Sequence, residues 1–268
     1  MIIGIDIGST ITKAVSIEAG AIHSMIKTKA EDAVSSATGA FGKLTVENGI
    51  AISAIQRIMI TGVGASMLPE SIFGIPAEKV DEIKAIAVGG MFLSGKENIV
   101  IANIGTGTAI IEAQKGKISH LGGSGVGGGT ILGLGKKLLG LSRFSDIMKL
   151  AEKGHLSPVD LLLEDIMKAN LSFLPPESTA SNFGKMLDTA GDEDLALGIV
   201  NMVYQVIGMI SVFAAKSRNI DQVVVTGNGS KNPIGKKILE KITLMHSVFF
   251  EYPEDAEYAT AIGAGLVN

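Results

Sequence analysis

The sequence predicts an α/β chain built from two copies of one unit, arranged as two lobes around a cleft. Three short β-branched runs, Ile2–Ile7, Thr12–Ile17 and Ala21–Lys27, are separated by turn residues. A helical stretch follows from about Glu31 to Asn48, and Arg57–Thr61 returns to strand character. The same order recurs from residue 98: Asn98–Ile104, Thr108–Gln114 and Lys117–Leu121 read as strands, and a helix begins near Gly129 and runs through Leu139. The turns repeat as well, since Ile5-Asp6-Ile7-Gly8-Ser9-Thr10 is answered by Ala102-Asn103-Ile104-Gly105-Thr106-Gly107-Thr108. Self-similarity on this scale signals an internal duplication.

Between the copies, Met67–Gly95 reads as connection and hinge. Later elements are a helix near Ser145–Lys153, an apolar helix near Asp194–Lys216, a strand at Gln222–Thr226 and a closing helix of small residues at Ala256–Val267. Asp192-Glu193-Asp194 places negative charge at the start of the apolar helix, which the positive end of the helix dipole favours. The expected lobes are residues 1–92, carrying a candidate acid, and 93–268, carrying the glycine-rich loop, the apolar helix and a nucleoside site.

At 268 residues and 46% hydrophobic the chain can bury a substantial core. With 4% aromatic residues and no tryptophan, that core is made of Ile, Leu, Val, Ala and Met. A net charge of -4 supplies no basic field for a phosphate backbone, so nucleic acid is not expected as a partner. Cysteine is absent, which excludes disulfides, thiolate metal sites and cysteine nucleophiles and fits a reducing cytoplasm. Met1–Asp6 has no basic n-region and reads as a strand, not a signal peptide. Leu195–Ala215 carries Asn201, Gln205 and Ser211 inside its apolar run, which suits a helix buried in protein better than one in a membrane.

A polyphosphate site must bring its ligand close to backbone. Glycine permits that approach, and Ser or Thr hydroxyls donate to phosphate oxygens. In Gly4-Ile5-Asp6-Ile7-Gly8-Ser9-Thr10 an acid emerges from a buried strand two residues before the turn, where it can hold magnesium beside the phosphates; Lys13 follows. Gly105-Thr106-Gly107-Thr108 occupies the equivalent place in the second copy, and Val225-Thr226-Gly227-Asn228 suits the nucleoside end. The run from Gly122 to Thr130 precedes a helix, and its N–H groups are expected to form an anion site. It contains G-x-G-x-x-G, but no second strand ends in an acid about twenty residues on, as dinucleotide binding requires. No P-loop motif is present, and His23, His120, His155 and His246 lack metal-ligand spacing.

The strand-turns at Asp6 and Thr106, the late strand before Gly227 and the closing Ala259-Thr260-Ala261-Ile262-Gly263-Ala264-Gly265 together resemble the actin, heat-shock chaperone and sugar kinase superfamily. The resemblance spans the chain and implies a duplicated ribonuclease-H-like, actin-like ATPase fold. Val80-Asp81-Glu82-Ile83-Lys84-Ala85-Ile86, Gly122–Gly140 and Ser181-Asn182-Phe183-Gly184-Lys185-Met186 narrow it to a resemblance to type II pantothenate kinases. That family implies ATP and Mg2+ as cofactors, pantothenate as substrate and a homodimer. It implies Glu82 as the general base and Asp6, Gly8, Ser9, Thr10, Lys13, Thr106, Gly107, Gly127, Gly128, Gly129, Gly227 and Asn228 as ATP contacts. The substrate end is expected at Glu82, His120, Gly122 and Ser124, with the metal at Asp6.

Two positions depart from the pattern. His120 stands where the family has an arginine, and the first loop reads Gly8-Ser9-Thr10 where the family has Gly-Gly-Thr. The alternatives are a kinase for another hydroxylated metabolite, a non-catalytic ATP-binding regulator, and an ATPase activator of 2-hydroxyacyl-CoA dehydratases. Those activators open with a very similar Gly-Ile-Asp-Ile-Gly-Ser-Thr, but they hold an iron–sulfur cluster through cysteines that this chain lacks.

Overall fold

The computed structural model describes residues 1–167 and 175–267. The first sheet is made by β1 (Ile2–Ile7), β2 (Ile11–Glu18) and β3 (Ala21–Lys29), then α1 (Ala33–Glu47), β4 (Arg57–Thr61), β5 (Ser71–Ile72) and β6 (Ile75–Lys79); α2 (Glu82–Ser94) leads out of it. The second half opens with β7 (Asn98–Ile104), β8 (Thr108–Gln114), β9 (Lys117–Ser124), α3 (Gly128–Leu139) and α4 (Phe144–Ala151). There follow β10 (Leu161–Leu162), α5 (Leu163–Ile166), β11 (Thr179–Ser181), α6 (Asp192–Ser217), β12 (Gln222–Thr226), α7 (Pro233–His246), β13 (Phe249–Glu251) and α8 (Ala259–Leu266).

The strand orders β3-β2-β1-β4-β6-β5 and β13-β12-β7-β8-β9 display the duplication directly. β1 lies antiparallel to β2 and parallel to β4, just as β7 lies antiparallel to β8 and parallel to β12. Alternation along β1 sends Ile3, Ile5 and Ile7 into a core with Ala37, Phe41 and Leu44 of α1. Gly4 and Asp6 therefore face the opposite side, where α8 lies; a Cβ on Gly4 would sit 2.1 Å from the Ala261 carbonyl.

Met67–Gly95, the expected connection, is regular structure. It forms the β5–β6 hairpin and α2, whose Ala85, Ile86, Ala87, Gly89 and Gly90 are buried. Asp81 Oδ1 caps this helix by accepting from Lys84 N at 2.9 Å, and Gly95 closes it in a left-handed turn. Its paired glycines serve close packing. A Cβ on Gly89 would stand 1.8 Å from the Ala259 carbonyl, and one on Gly263 1.8 Å from the Ala85 carbonyl. The two helices thus meet backbone to backbone between the sheets, with α8 against β1, β2 and β4 and α2 against β7 and β8.

Among the described residues, α6 is the one helix long and apolar enough to cross a membrane by length and composition. Most of it is buried in the second core, packed against α3, α4 and α7. Its polar interior is satisfied within the protein: Asn201 Nδ2 donates to Asp160 Oδ2 at 2.8 Å, and Ser211 Oγ donates to the Ile207 carbonyl at 2.7 Å.

Candidate active site

The β1–β2 and β7–β8 turns point at each other, and Ser9 Oγ lies 2.6 Å from Thr106 Oγ1 across the gap. Beneath this contact runs a cleft of about 560 Å³. Of the expected residues, Asp6, Gly8, Ser9, Thr10, Lys13, Glu82, Thr106, Gly107, Ser124, Gly128, Gly129, Gly227 and Asn228 line it.

One end of the floor is a row across three strands. Asp6 on β1 is in register with Lys13 on β2 and with Thr61 on β4, so all three side chains share the face toward α2 and α8. Asp6 is 8% exposed and Lys13 5%, and their charged atoms are 3.9 Å apart. Burial raises the Asp6 carboxyl above its ordinary range, an effect Lys13 opposes; burial lowers the Lys13 ammonium, which Asp6 opposes. Above this row stands Glu82, the first residue of α2, half-buried at the cleft wall. Burial first, then the charges of Asp6 and Asp81, push its carboxyl upward, the direction a general base near neutral pH requires.

The glycine-rich run does something other than the expected anion binding by its N–H groups. Gly128 N donates to the Gly105 carbonyl and Gly129 N to the Thr106 carbonyl, each at 2.9 Å, while Gly127 N is taken by Thr130 Oγ1 at 3.1 Å. The start of α3 therefore clasps the second turn and holds Thr106 in place. Glycine is needed because a Cβ on Gly127 or Gly129 would lie 2.6 Å from atoms of Thr106. Gly128 and Gly129 still border the cleft, but buried Gly127 does not.

His120 and Gly122 also fall outside the cleft lining. β9 continues through the glycines, and a bulge opposite Ile110/Ile111 pairs His120 with Ile111, on the sheet face covered by α2. His120 is exposed there.

At the far end Gly227 has φ 78°, and a Cβ on it would sit 2.5 Å from the Ile104 carbonyl. Asn103 Oδ1, in the place where the first copy has Asp6, accepts from Thr226 Oγ1 at 3.0 Å. The walls here are Ile131, Leu132, Phe144, Val203 and Tyr204, the last donating to the Gly229 carbonyl at 2.8 Å. An apolar pocket with an aromatic wall beside a glycine turn suits a nucleoside base.

The Fumble family model matches residues 97–246. A type II pantothenate kinase of Bacillus anthracis is 30% identical over 98% of this chain and 96% of its own length. The chain belongs to the Fumble family, that of the type II pantothenate kinases. Among solved structures, the activator of the 2-hydroxyisocaproyl-CoA dehydratase from Clostridium difficile with bound ADPNP gives a TM-score of 0.68 at 19% identity, over 98% of this chain and 92% of that one. A ROK family glucokinase from Streptomyces griseus in complex with glucose and AMPPNP gives 0.62 at 14% identity, over 98% and 97%. At these identities the likeness shows the duplicated actin-like fold.

Within this Fumble-family cleft, sequence reasoning missed Asn103, Val203, Tyr204, Thr260 and Val63, and beside it the buried row member Thr61. Tyr204 and Val203 lie in the middle of an apolar helix, and nothing local marks the turn that reaches the cleft. Thr61 had a signal: Thr61-Gly62-Val63-Gly64 after β4 echoes Thr226-Gly227-Asn228-Gly229 after β12. In both, the first glycine takes positive φ, 87° at Gly62 and 78° at Gly227.

Proposed function

We propose that the chain transfers the γ-phosphate of ATP to the primary hydroxyl of pantothenate, the entry step of coenzyme A synthesis. The observation that carries this is Glu82, a carboxylate with a raised pKa on the wall of a cleft roofed by two facing hairpin tips. The relatives' shared name supplies the acceptor.

Tyr204, Leu132 and the Gly227-Asn228 turn would hold the base and ribose, and Ser9, Thr10, Thr106, Gly107 and Lys13 would hold the triphosphate. The residues fit a magnesium ion. Among the described residues no group of three or more acidic or histidine side chains forms a cage, but Mg2+ in kinases takes most ligands from phosphate and water and needs one or two carboxylates. Asp6 faces the cleft with Lys13 as its charged neighbour, and would hold the ion, which when bound neutralises charge developing on the phosphates. Glu82 accepts the proton of the acceptor hydroxyl. Lobes of residues 1–92 and 93–268 work in a cytoplasmic homodimer, with half-exposed Met202 and Val206 and exposed Phe213 on the outer face of α6 as its contact.

Purified protein with Mg-ATP and pantothenate is expected to yield phosphopantothenate by mass spectrometry. Absence of that product overturns the reading. A second reading is a different hydroxylated acceptor, and a substrate panel on the wild type separates the two.

A further inference from the structure

Thr61 is fully buried, and its Oγ1 has no hydrogen-bond partner among the described residues. A buried hydroxyl without a partner is destabilising, so its retention beside a working site calls for a reason. The duplication supplies one. Thr61 on β4 stands to Asp6 on β1 as Thr226 on β12 stands to Asn103 on β7, each a parallel in-register pair at the cleft end of its strands. Both threonines precede a glycine of positive φ where an added Cβ would press on the paired residue: one on Gly62 would sit 2.7 Å from Asp6 Oδ1, and one on Gly227 2.9 Å from Asn103 Oδ1. In the second copy the pair is hydrogen-bonded at 3.0 Å. In the first the hydroxyl stays unused, while Asp6 has Lys13 in register on its other side.

We propose that Thr61 is a positioning residue for Asp6, its hydroxyl donating to the Asp6 carboxylate when the cleft holds metal and nucleotide. The inference rests on the reading of Asp6 as the metal-holding acid. It gives the row Lys13–Asp6–Thr61 one purpose: a carboxylate held from both sides keeps one orientation for the ion. Groups that orient a metal-holding carboxylate typically change metal affinity or activity by about ten- to a hundredfold when removed.

The test compares Thr61→Val, which removes the hydroxyl at nearly constant shape, with Thr61→Ser, which keeps it. Mn2+ binding in the presence of AMPPNP is followed by electron paramagnetic resonance, and the melting temperature is measured without metal or nucleotide. Thr61→Val is expected to weaken Mn2+ binding about tenfold and to raise the melting temperature of the free protein by about 2 °C. Thr61→Ser is expected to keep wild-type Mn2+ binding. Thr226→Val, which breaks an existing bond, lowers the melting temperature instead. Wild-type Mn2+ affinity in Thr61→Val, or a lowered melting temperature, overturns the proposal. Should Thr61→Val fail to fold, Thr61→Ala is measured for Mn2+ binding alone, since its lost methyl lowers the melting temperature by itself. No acceptor is present in this experiment, so a wrong acceptor leaves the result readable. Loss of Mn2+ binding in wild type itself would instead sink the metal reading of Asp6 and this proposal with it.

Discussion

Ser9 and Thr106 join the two copies of the duplicated unit by one hydrogen bond of 2.6 Å between exposed hairpin tips. Each hydroxyl has one proton to donate, so the acceptor of this pair keeps its own proton for a phosphate oxygen. The bond is therefore compatible with a triphosphate beneath it. Ser9→Gly is expected to raise the ADP dissociation constant about threefold, the scale of one exposed hydrogen bond. Isothermal titration checks this. Tighter binding in the variant would mean that the contact competes with phosphate.

With Glu82 as the proposed base, its ionisation is expected to set the acid limb of the pH profile. Its carboxyl lies above the ordinary 4.5, so kcat/KM is expected to fall as pH drops through a midpoint above that value. Asp81→Asn removes one of the raising charges and can still cap α2, and it is expected to move the midpoint toward lower pH. An unmoved limb would show that another group titrates.

The same shift has a stability consequence. Folded Glu82 binds its proton more tightly than the unfolded residue, so its charge costs nothing well below pH 4.5, and the cost is complete above the raised value. Glu82→Gln is expected to melt higher than wild type at pH 7 and to show no such gain at pH 4. Calorimetry at the two values decides it.

The crossing of α2 and α8 has no room for a methyl group. Gly89→Ala or Gly263→Ala drives a Cβ into a carbonyl 1.8 Å away and is expected to cost roughly 3 kcal/mol. Urea denaturation reads the loss, and variants as stable as wild type would show that the helices slide apart freely.

Asp160 ties the β11 segment to α6. Fully buried, it accepts from Thr179 Oγ1 at 3.0 Å, Phe183 N at 2.9 Å and Asn201 Nδ2 at 2.8 Å. Asp160→Ala leaves these donors unpaired and is expected to destabilise by roughly 3 kcal/mol. A change under about 0.5 kcal/mol in urea would mean that water replaces the carboxylate.

Strands with a β-branched run and a turn at each end were legible in the sequence. β1, β7, β8 and β12 match their expected bounds, and the duplicated turns located both hairpin tips. Glycine misled at Gly122-Gly123, where it suggested a loop, yet β9 runs on to Ser124, because Gly123 lets the strand lie against the Thr108 carbonyl. The N–H groups at Gly127–Gly129 were credited to a ligand, but the neighbouring loop takes two of them and Thr130 the third. Asp160, Asn201 and Thr179 come together only through tertiary packing, and no local pattern in the chain announces such a cluster.

Single-turnover transfer with Glu82→Gln tests the central claim most directly. Pantothenate and Mg-ATP are first titrated onto wild type and variant, and phosphopantothenate is then followed by rapid quench. Binding is expected to be retained while the transfer step slows by about a hundred- to ten-thousandfold. Transfer by the variant at the wild-type rate would contradict the assignment of Glu82 as the base.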